Sequence, residues 1–105
     1  MVYQLGAPLL DACVMAALAR DDAYGYVLTK RVQDVIDISE STLYPVLRRL
    51  QKDNLLTTYD QPEAGRNRRY YSLTEDGRNK LVFYIDEWTN FSTKINTLLG
   101  GNNNE

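Results

Sequence analysis

The sequence predicts a mainly helical α+β domain: three helices, a β-hairpin and one long last helix, the order of a winged helix-turn-helix with an added C-terminal helix. Three observations carry that expectation. Apolar residues recur at three- and four-residue spacings in four separate stretches. Between the third and fourth stretch lie two short runs rich in Thr, Tyr and Leu, separated by Pro62, Gly65 and Asn67. The whole chain is 105 residues, enough for one domain with a small core. Residues 1–74 are expected to form the winged unit, 75–99 a helix for dimerisation, and 100–105 a tail that frays.

Pro8 suits the first turn of a helix, and Leu9, Leu10, Cys13, Val14, Ala17 and Leu18 then mark one face, up to about Arg20. Asp21 and Asp22 are placed to cap a second helix, whose buried face would use Tyr26, Val27, Val32, Val35 and Ile36 and which would end near Asp37. Ser39 is a good N-cap for the third helix, and Glu40 suits the positive end of its dipole. Leu43, Val46, Leu47 and Leu50 make the apolar face, up to Lys52. Pro45 lacks a backbone N–H and is expected in or near the first turn, since mid-helix it would cost ~3 kcal/mol.

Asn54 tolerates the left-handed conformation that ends many helices. Leu55 to Tyr59 and Arg68 to Leu73 read as strands of a hairpin with a long exposed tip. Thr74 then caps the last helix, with Glu75 and Asp76 in its first turn. Leu81, Tyr84, Trp88, Phe91, Ile95 and Leu98 follow a heptad-like spacing, widened by Ile85 and Leu99, along a rod of roughly 35 Å. Gly77 weakens the first turn by about 1 kcal/mol, which packing must offset.

Twelve Lys and Arg against fourteen Asp and Glu give a net charge of -2, not the usual footprint of a nucleic-acid binder. The distribution differs from the total. Tyr44 to Lys52 carries Arg48, Arg49 and Lys52 with no acid, and Gly65 to Tyr71 carries Arg66, Arg68 and Arg69 with no acid. Every carboxylate lies elsewhere. The two basic segments are those that a winged helix-turn-helix presents to DNA, the third helix to the major groove and the hairpin tip to the neighbouring backbone or minor groove. The blander reading of Arg48, Arg49 and Lys52 is a solvated outer face. Three arginines on a turn bounded by Gly65 have no core to support, and arginine offers a planar fork of donors to phosphates and guanine edges. Ser41, Thr42 and Tyr44 near the start of the third helix either reach the duplex or serve the cap and the core. Both alternatives stand on sequence.

With no histidine and a single cysteine, Cys13, neither a disulfide framework nor a Cys/His zinc site can be built, so no metal or cofactor is expected. The apolar run from Leu9 to Leu18 is broken by Asp11 and is far shorter than the ~20 residues that cross a bilayer, so a cytoplasmic protein is expected. Asp21-Asp22 and Asp86-Glu87 are sequence neighbours and point apart, as caps and solvated surface do. Catalysis is not expected.

Ser41-Thr42-Leu43-Tyr44-Pro45-Val46-Leu47-Arg48-Arg49-Leu50 and Gly65-Arg66-Asn67-Arg68-Arg69-Tyr70-Tyr71-Ser72-Leu73-Thr74, with Tyr24-Gly25-Tyr26 upstream, resemble the PadR family of bacterial transcriptional regulators. The likeness spans nearly the whole chain. The single short C-terminal helix resembles the small subgroup that includes the lactococcal multidrug-responsive repressor. The resemblance implies a homodimer joined through the C-terminal helices, a palindromic DNA operator, and repression released by a small molecule. Together with the charge and position read above, it points to duplex contacts at Ser41, Thr42, Tyr44, Pro45, Arg48, Arg49, Lys52, Arg66, Arg68 and Arg69. It puts Leu81, Tyr84, Trp88, Phe91, Ile95 and Leu98 in the dimer seam. In the subgroup a tryptophan at the place of Trp88 stacks on planar aromatic compounds; Tyr84, Ile85, Ala12 and Ala16 could line the same cavity. The relative's acid one turn further on is Ser92 here. Trp88 has a second reading as dimer core, and the whole chain has one as a winged-helix module that binds an acidic protein partner instead of DNA.

Overall fold

The computed structural model describes residues 6–100. The elements run α1 (Ala7–Ala17), β1 (Ala23–Tyr24), α2 (Gly25–Gln33), α3 (Glu40–Lys52), β2 (Leu56–Glu63), β3 (Arg66–Leu73) and α4 (Glu75–Leu99). This is the expected order, with one strand added. The three strands form an antiparallel sheet in the order β1-β3-β2. Leu10, Val14, Met15 and Leu18 of the α1 region meet Leu28 and Val32 of α2 and Leu43, Val46, Leu47 and Leu50 of α3 in the core. Leu56, Leu73 and Leu81 close it from the hairpin and the root of α4.

The added strand changes the second helix. β1 pairs Ala23 with Tyr71 and Tyr24 with Tyr70. α2 therefore starts at once after it, with Tyr24 as an N-cap that makes no side-chain bond. Asp21 and Asp22 do not cap it; Asp22 instead accepts from the Tyr59 hydroxyl at 2.6 Å. The buried face is Leu28, Thr29 and Val32. Tyr26 and Val35, expected inside, are 60% and 83% exposed. The helix ends at Gln33 rather than Asp37, and Gln33 Nε2 donates to the Ile38 carbonyl at 3.0 Å to close the turn.

Ser39 caps α3 as expected, its hydroxyl accepting from the Thr42 amide at 3.3 Å. Pro45 lies deeper than expected, inside the helix in its second turn. Its missing donor falls on the exposed face, where a backbone carbonyl can be solvated. α3 closes through Asn54 at φ 63°, with Leu55 N donating to Leu50 O at 2.9 Å and Asn54 N to Gln51 O at 3.0 Å. These are the two bonds of a Schellman motif, with asparagine where glycine is commonest.

The hairpin has no long tip. β2 and β3 pair without a break from Leu56↔Leu73 to Glu63↔Arg66. They are joined by Ala64 and Gly65 alone, at φ 53° and 81°. Two-residue turns of this kind follow the right-handed twist of the strands, which longer loops need not do. Pro62 is tolerated within a strand because β2 is the sheet edge.

Thr74 caps α4, its hydroxyl accepting from Gly77 N at 2.9 Å. Gly77 is buried against the hairpin: a Cβ there would come within 2.2 Å of the Leu55 carbonyl oxygen. The packing that offsets a glycine in the first turn is thus one that admits nothing larger. Leu81, expected in the dimer seam, belongs to the chain's own core instead, because the first three turns of α4, to Tyr84, lie on the hairpin and α1. Beyond them the helix projects, and the radius of gyration of 15.8 Å exceeds the ~13 Å of a compact chain this long. α4 ends at Gly100, at φ 81°; the rest of the expected tail lies outside the described residues. No helix among the described residues is long and apolar enough to cross a membrane.

Candidate nucleic-acid interface

The side of α3 opposite its core face carries the first cluster. At about 100° per residue, Leu43, Leu47 and Leu50 share one side and Ser41, Pro45, Arg48 and Lys52 the other. All four of the latter are exposed, and among the described residues Arg48 and Lys52 take no ion pair. Ser41 and Thr42 each hold their hydroxyl 3.0 Å from that of Ser39, so both join the cap network. Tyr44 is 36% exposed and faces the start of α2, where a Cβ on Gly25 would lie 3.9 Å from its ring and 3.8 Å from that of Tyr71.

Arg49 stands apart. Its two terminal nitrogens donate to both oxygens of Asp11 at 2.8 and 2.7 Å, and the Asp11 side chain is only 9% exposed. Hydrogen bonding to that carboxylate holds the guanidinium proton more firmly than usual. Asp11 was invisible as a partner in the sequence because 38 positions separate the two residues. The sequence shows it only as a charge out of place in an apolar run.

The wing holds the second cluster. Pairing register sets Asp60 across from Arg69 and Glu63 across from Arg66, so the wing is less basic than its own segment of sequence. Arg69 pairs with Asp60 at 3.3 Å, with both side chains exposed. Arg68 lies on the other face with Tyr59 and Tyr70, and its guanidinium carbon sits 4.4 Å from the Tyr24 ring centroid. Tyr24 meets Tyr70 edge-on and Tyr70 stacks on Tyr59, both at 5.6 Å. This aromatic support fixes Arg68 at the wing, and Tyr24 within it had no role on sequence. Arg66 is exposed at the turn. A polar hollow runs between the start of α2 and the wing, lined by Tyr24, Gly25, Asn67, Tyr71 and the three wing arginines.

A separate apolar hollow of about 460 Å³ lies between α1 and α4, lined among the described residues by Gly6, Pro8, Leu9, Ala12, Tyr84, Glu87, Trp88 and Phe91. Ala12, Tyr84 and Trp88 of the expected ligand set meet there. Ile85, about 100° round the helix from Tyr84, does not line it. Ala16 lines a different hollow, with Cys13, Arg31 and Val35. Glu87, read on sequence as solvated surface, adds a carboxylate to the first one. Trp88, Phe91 and Leu98 are 47%, 57% and 81% exposed, and Ile95 is half-buried.

Known proteins share this fold. The model of the transcriptional regulator PadR-like family matches residues 14–82. The crystal structure of smu.1704 from Streptococcus mutans UA159 is similar over 100% of this chain and 99% of that one, with 35% identity and a TM-score of 0.87. A PadR family transcription regulator from Clostridium difficile R20291 superposes with a TM-score of 0.80 and 31% identity, over 87% of this chain and 98% of that one. Transcriptional regulator Rv3488 of Mycobacterium tuberculosis is 38% identical over 65 residues, 61% of each chain. With a match that covers well over half of its length, the chain belongs to the PadR-like family of transcriptional regulators, which are not enzymes.

Proposed function

We propose that this regulator is a homodimeric repressor in the cytoplasm that grips a two-fold-symmetric DNA operator and lets go when a small planar aromatic molecule enters the hollow beside Trp88. The observation that carries the reading is the outer side of α3. Arg48 and Lys52 stand there unpaired by any described acid, in a chain whose total charge is -2, next to a wing with three more arginines. Arg48 and Lys52 reach base edges or phosphates from the major groove, Ser41, Tyr44 and Pro45 shape the approach, and Arg66, Arg68 and Arg69 hold the flanking backbone.

Energetics supports the dimer. Exposed apolar surface costs about 25 cal/mol per Å², and the projecting part of α4 leaves Trp88, Phe91 and Leu98 in solvent. A second copy packed on this stripe covers them and sets two α3 helices to read half-sites about 34–36 Å apart. An effector held by Trp88, Tyr84 and Ala12 then acts by favouring a relative orientation of the two halves that no longer matches successive grooves. Glu87 favours a cationic ring over an anionic one.

The test is a mobility-shift titration at ~150 mM salt with duplex from the protein's own promoter, run with sedimentation. Phe91→Glu is expected to give monomers that lose the duplex, and Arg48→Ala to give dimers that lose it. A protein-interaction module would bind no specific duplex in any form, and that result refutes the proposal. Saturable quenching of Trp88, the single tryptophan, by planar aromatic compounds checks the effector arm.

A further inference from the structure

Among the described residues, one ion pair joins two helices through both carboxylate oxygens: Asp11 of α1 and Arg49 of α3. The other two pairs, Lys30 with Asp34 at 3.9 Å and Arg69 with Asp60 at 3.3 Å, are single contacts between exposed side chains. A two-point bond to a planar guanidinium fixes orientation as well as distance, which an ammonium cannot do. Its position on α1 matters equally. Asp11 directly precedes Ala12 and follows Pro8 and Leu9, and those three residues form the α1 wall of the apolar hollow. On α3, Arg49 directly follows Arg48. A helix of eleven residues thus has one edge in the hollow and the adjacent edge clamped to the helix that carries Arg48 and Lys52.

We infer that the Asp11–Arg49 bond transmits the state of the hollow to α3, and that Arg49 is a positioning residue rather than a duplex contact. A molecule wedged between α1 and α4 shifts α1; the clamp obliges α3 to follow, and Arg48 and Lys52 are re-aimed. The inference rests on the proposed role of α3 and of the hollow.

The experiment builds the wedge into the chain, so that no effector need be known. Ala12→Trp fills the hollow, with Ala12→Leu as a milder wedge should the larger one impair folding. Each is made in three backgrounds: Asp11 with Arg49, Asp11→Asn, and Arg49→Lys. Two readouts are taken: affinity for the promoter duplex, and amide hydrogen exchange along Leu43 to Leu50 with no DNA present. With the pair intact the wedge is expected to weaken duplex binding at least tenfold and to speed exchange along α3 at least threefold. In the Asp11→Asn background both effects should shrink to less than twofold, and Arg49→Lys should fall between. An equal response to the wedge in all three backgrounds overturns the inference. Exchange that responds as expected in a protein that binds no duplex supports the clamp and instead removes the proposed operator function. N-phenyl-1-naphthylamine, a neutral fused-ring probe, serves as a second wedge: if it binds the hollow and alters α3 exchange equally with and without the pair, the clamp is refuted.

Discussion

Gly77→Ala is a substitution that helix propensity alone would favour by about 1 kcal/mol. The structure reverses the sign. The new Cβ would stand 2.2 Å from the Leu55 carbonyl oxygen and 2.7 Å from Leu73 Cδ1. The carbonyl cannot simply withdraw, because it accepts from the Thr74 amide at 3.1 Å, and the Thr74 hydroxyl ties the preceding Asn54 carbonyl at 2.8 Å. Relief must come from moving α4 off the hairpin, which strains or breaks the Thr74 cap. Overpacking of this kind costs about 1–3 kcal/mol and loss of a threonine cap about 1 kcal/mol. Set against the propensity gain, the net is a loss of about 2 kcal/mol, or about 10 °C in Tm for a domain of this size. The assay is thermal melting by circular dichroism at one fixed protein concentration, since the proposed dimer would make Tm depend on it. Gly25→Ala is the control, because its Cβ would meet only Tyr71 and Tyr44 at ordinary contact distances of 3.8 and 3.9 Å. Gly77→Ala melting at or above the parent protein would refute the reasoning.

Other outcomes follow from the same geometry. Arg48→Ala should lower the dependence of log affinity on log salt by about 0.9 if it contacts one phosphate, whereas Arg69→Ala should change it less, since Asp60 already neutralises that side chain; equal slopes for both variants contradict this. Ala64→Asn should raise stability by roughly 0.5–1 kcal/mol, because φ 53° suits asparagine better than alanine and asparagine with Gly65 is a favoured pair for this turn; urea unfolding decides. Tyr59 and Tyr70 donate to Asp22 and Glu63, which pushes both hydroxyls above the ordinary tyrosine value. Their contribution is therefore complete below an ordinary value near 10 and is lost as pH climbs through the raised folded values. A tyrosinate absorbance titration should show a late-ionising fraction among the eight tyrosines that shrinks in Tyr59→Phe; a single step at the ordinary value opposes it.

What the sequence conveyed was governed by the range of the interaction. Ser39, Asn54 and Thr74 act on backbone groups within a few residues, and each cap was legible from neighbours alone. β1 is two residues long and exists only because β3 lies beside it, so nothing local announced it. Once it forms it fixes where α2 starts, and the expected face built on Tyr26 and Val35 gives way to Leu28 and Val32. The charge clusters were visible as segments, but their partners were not, since Asp11 and Asp60 reach Arg49 and Arg69 only through packing and strand register. Leu81 shows the same limit: spacing put it on a stripe with Trp88, while the place where α4 leaves the body decides that it is core. Glu87 enters the hollow for a similar reason, sharing a side of α4 with Phe91.

If two copies join through α4 as proposed, the joint at Gly77 bears on how far apart their two α3 helices stand. α4 is held at one end and runs on for about 22 residues from Gly77 to Leu99, about 33 Å, so it acts as a lever: a tilt of about 5° at the fulcrum swings the far tip by about 3 Å. In a pair joined through these arms, substitutions near Leu55, Leu73 or Gly77 would therefore retune the separation of the two reading heads. The side chains that read the bases need not change for that to happen.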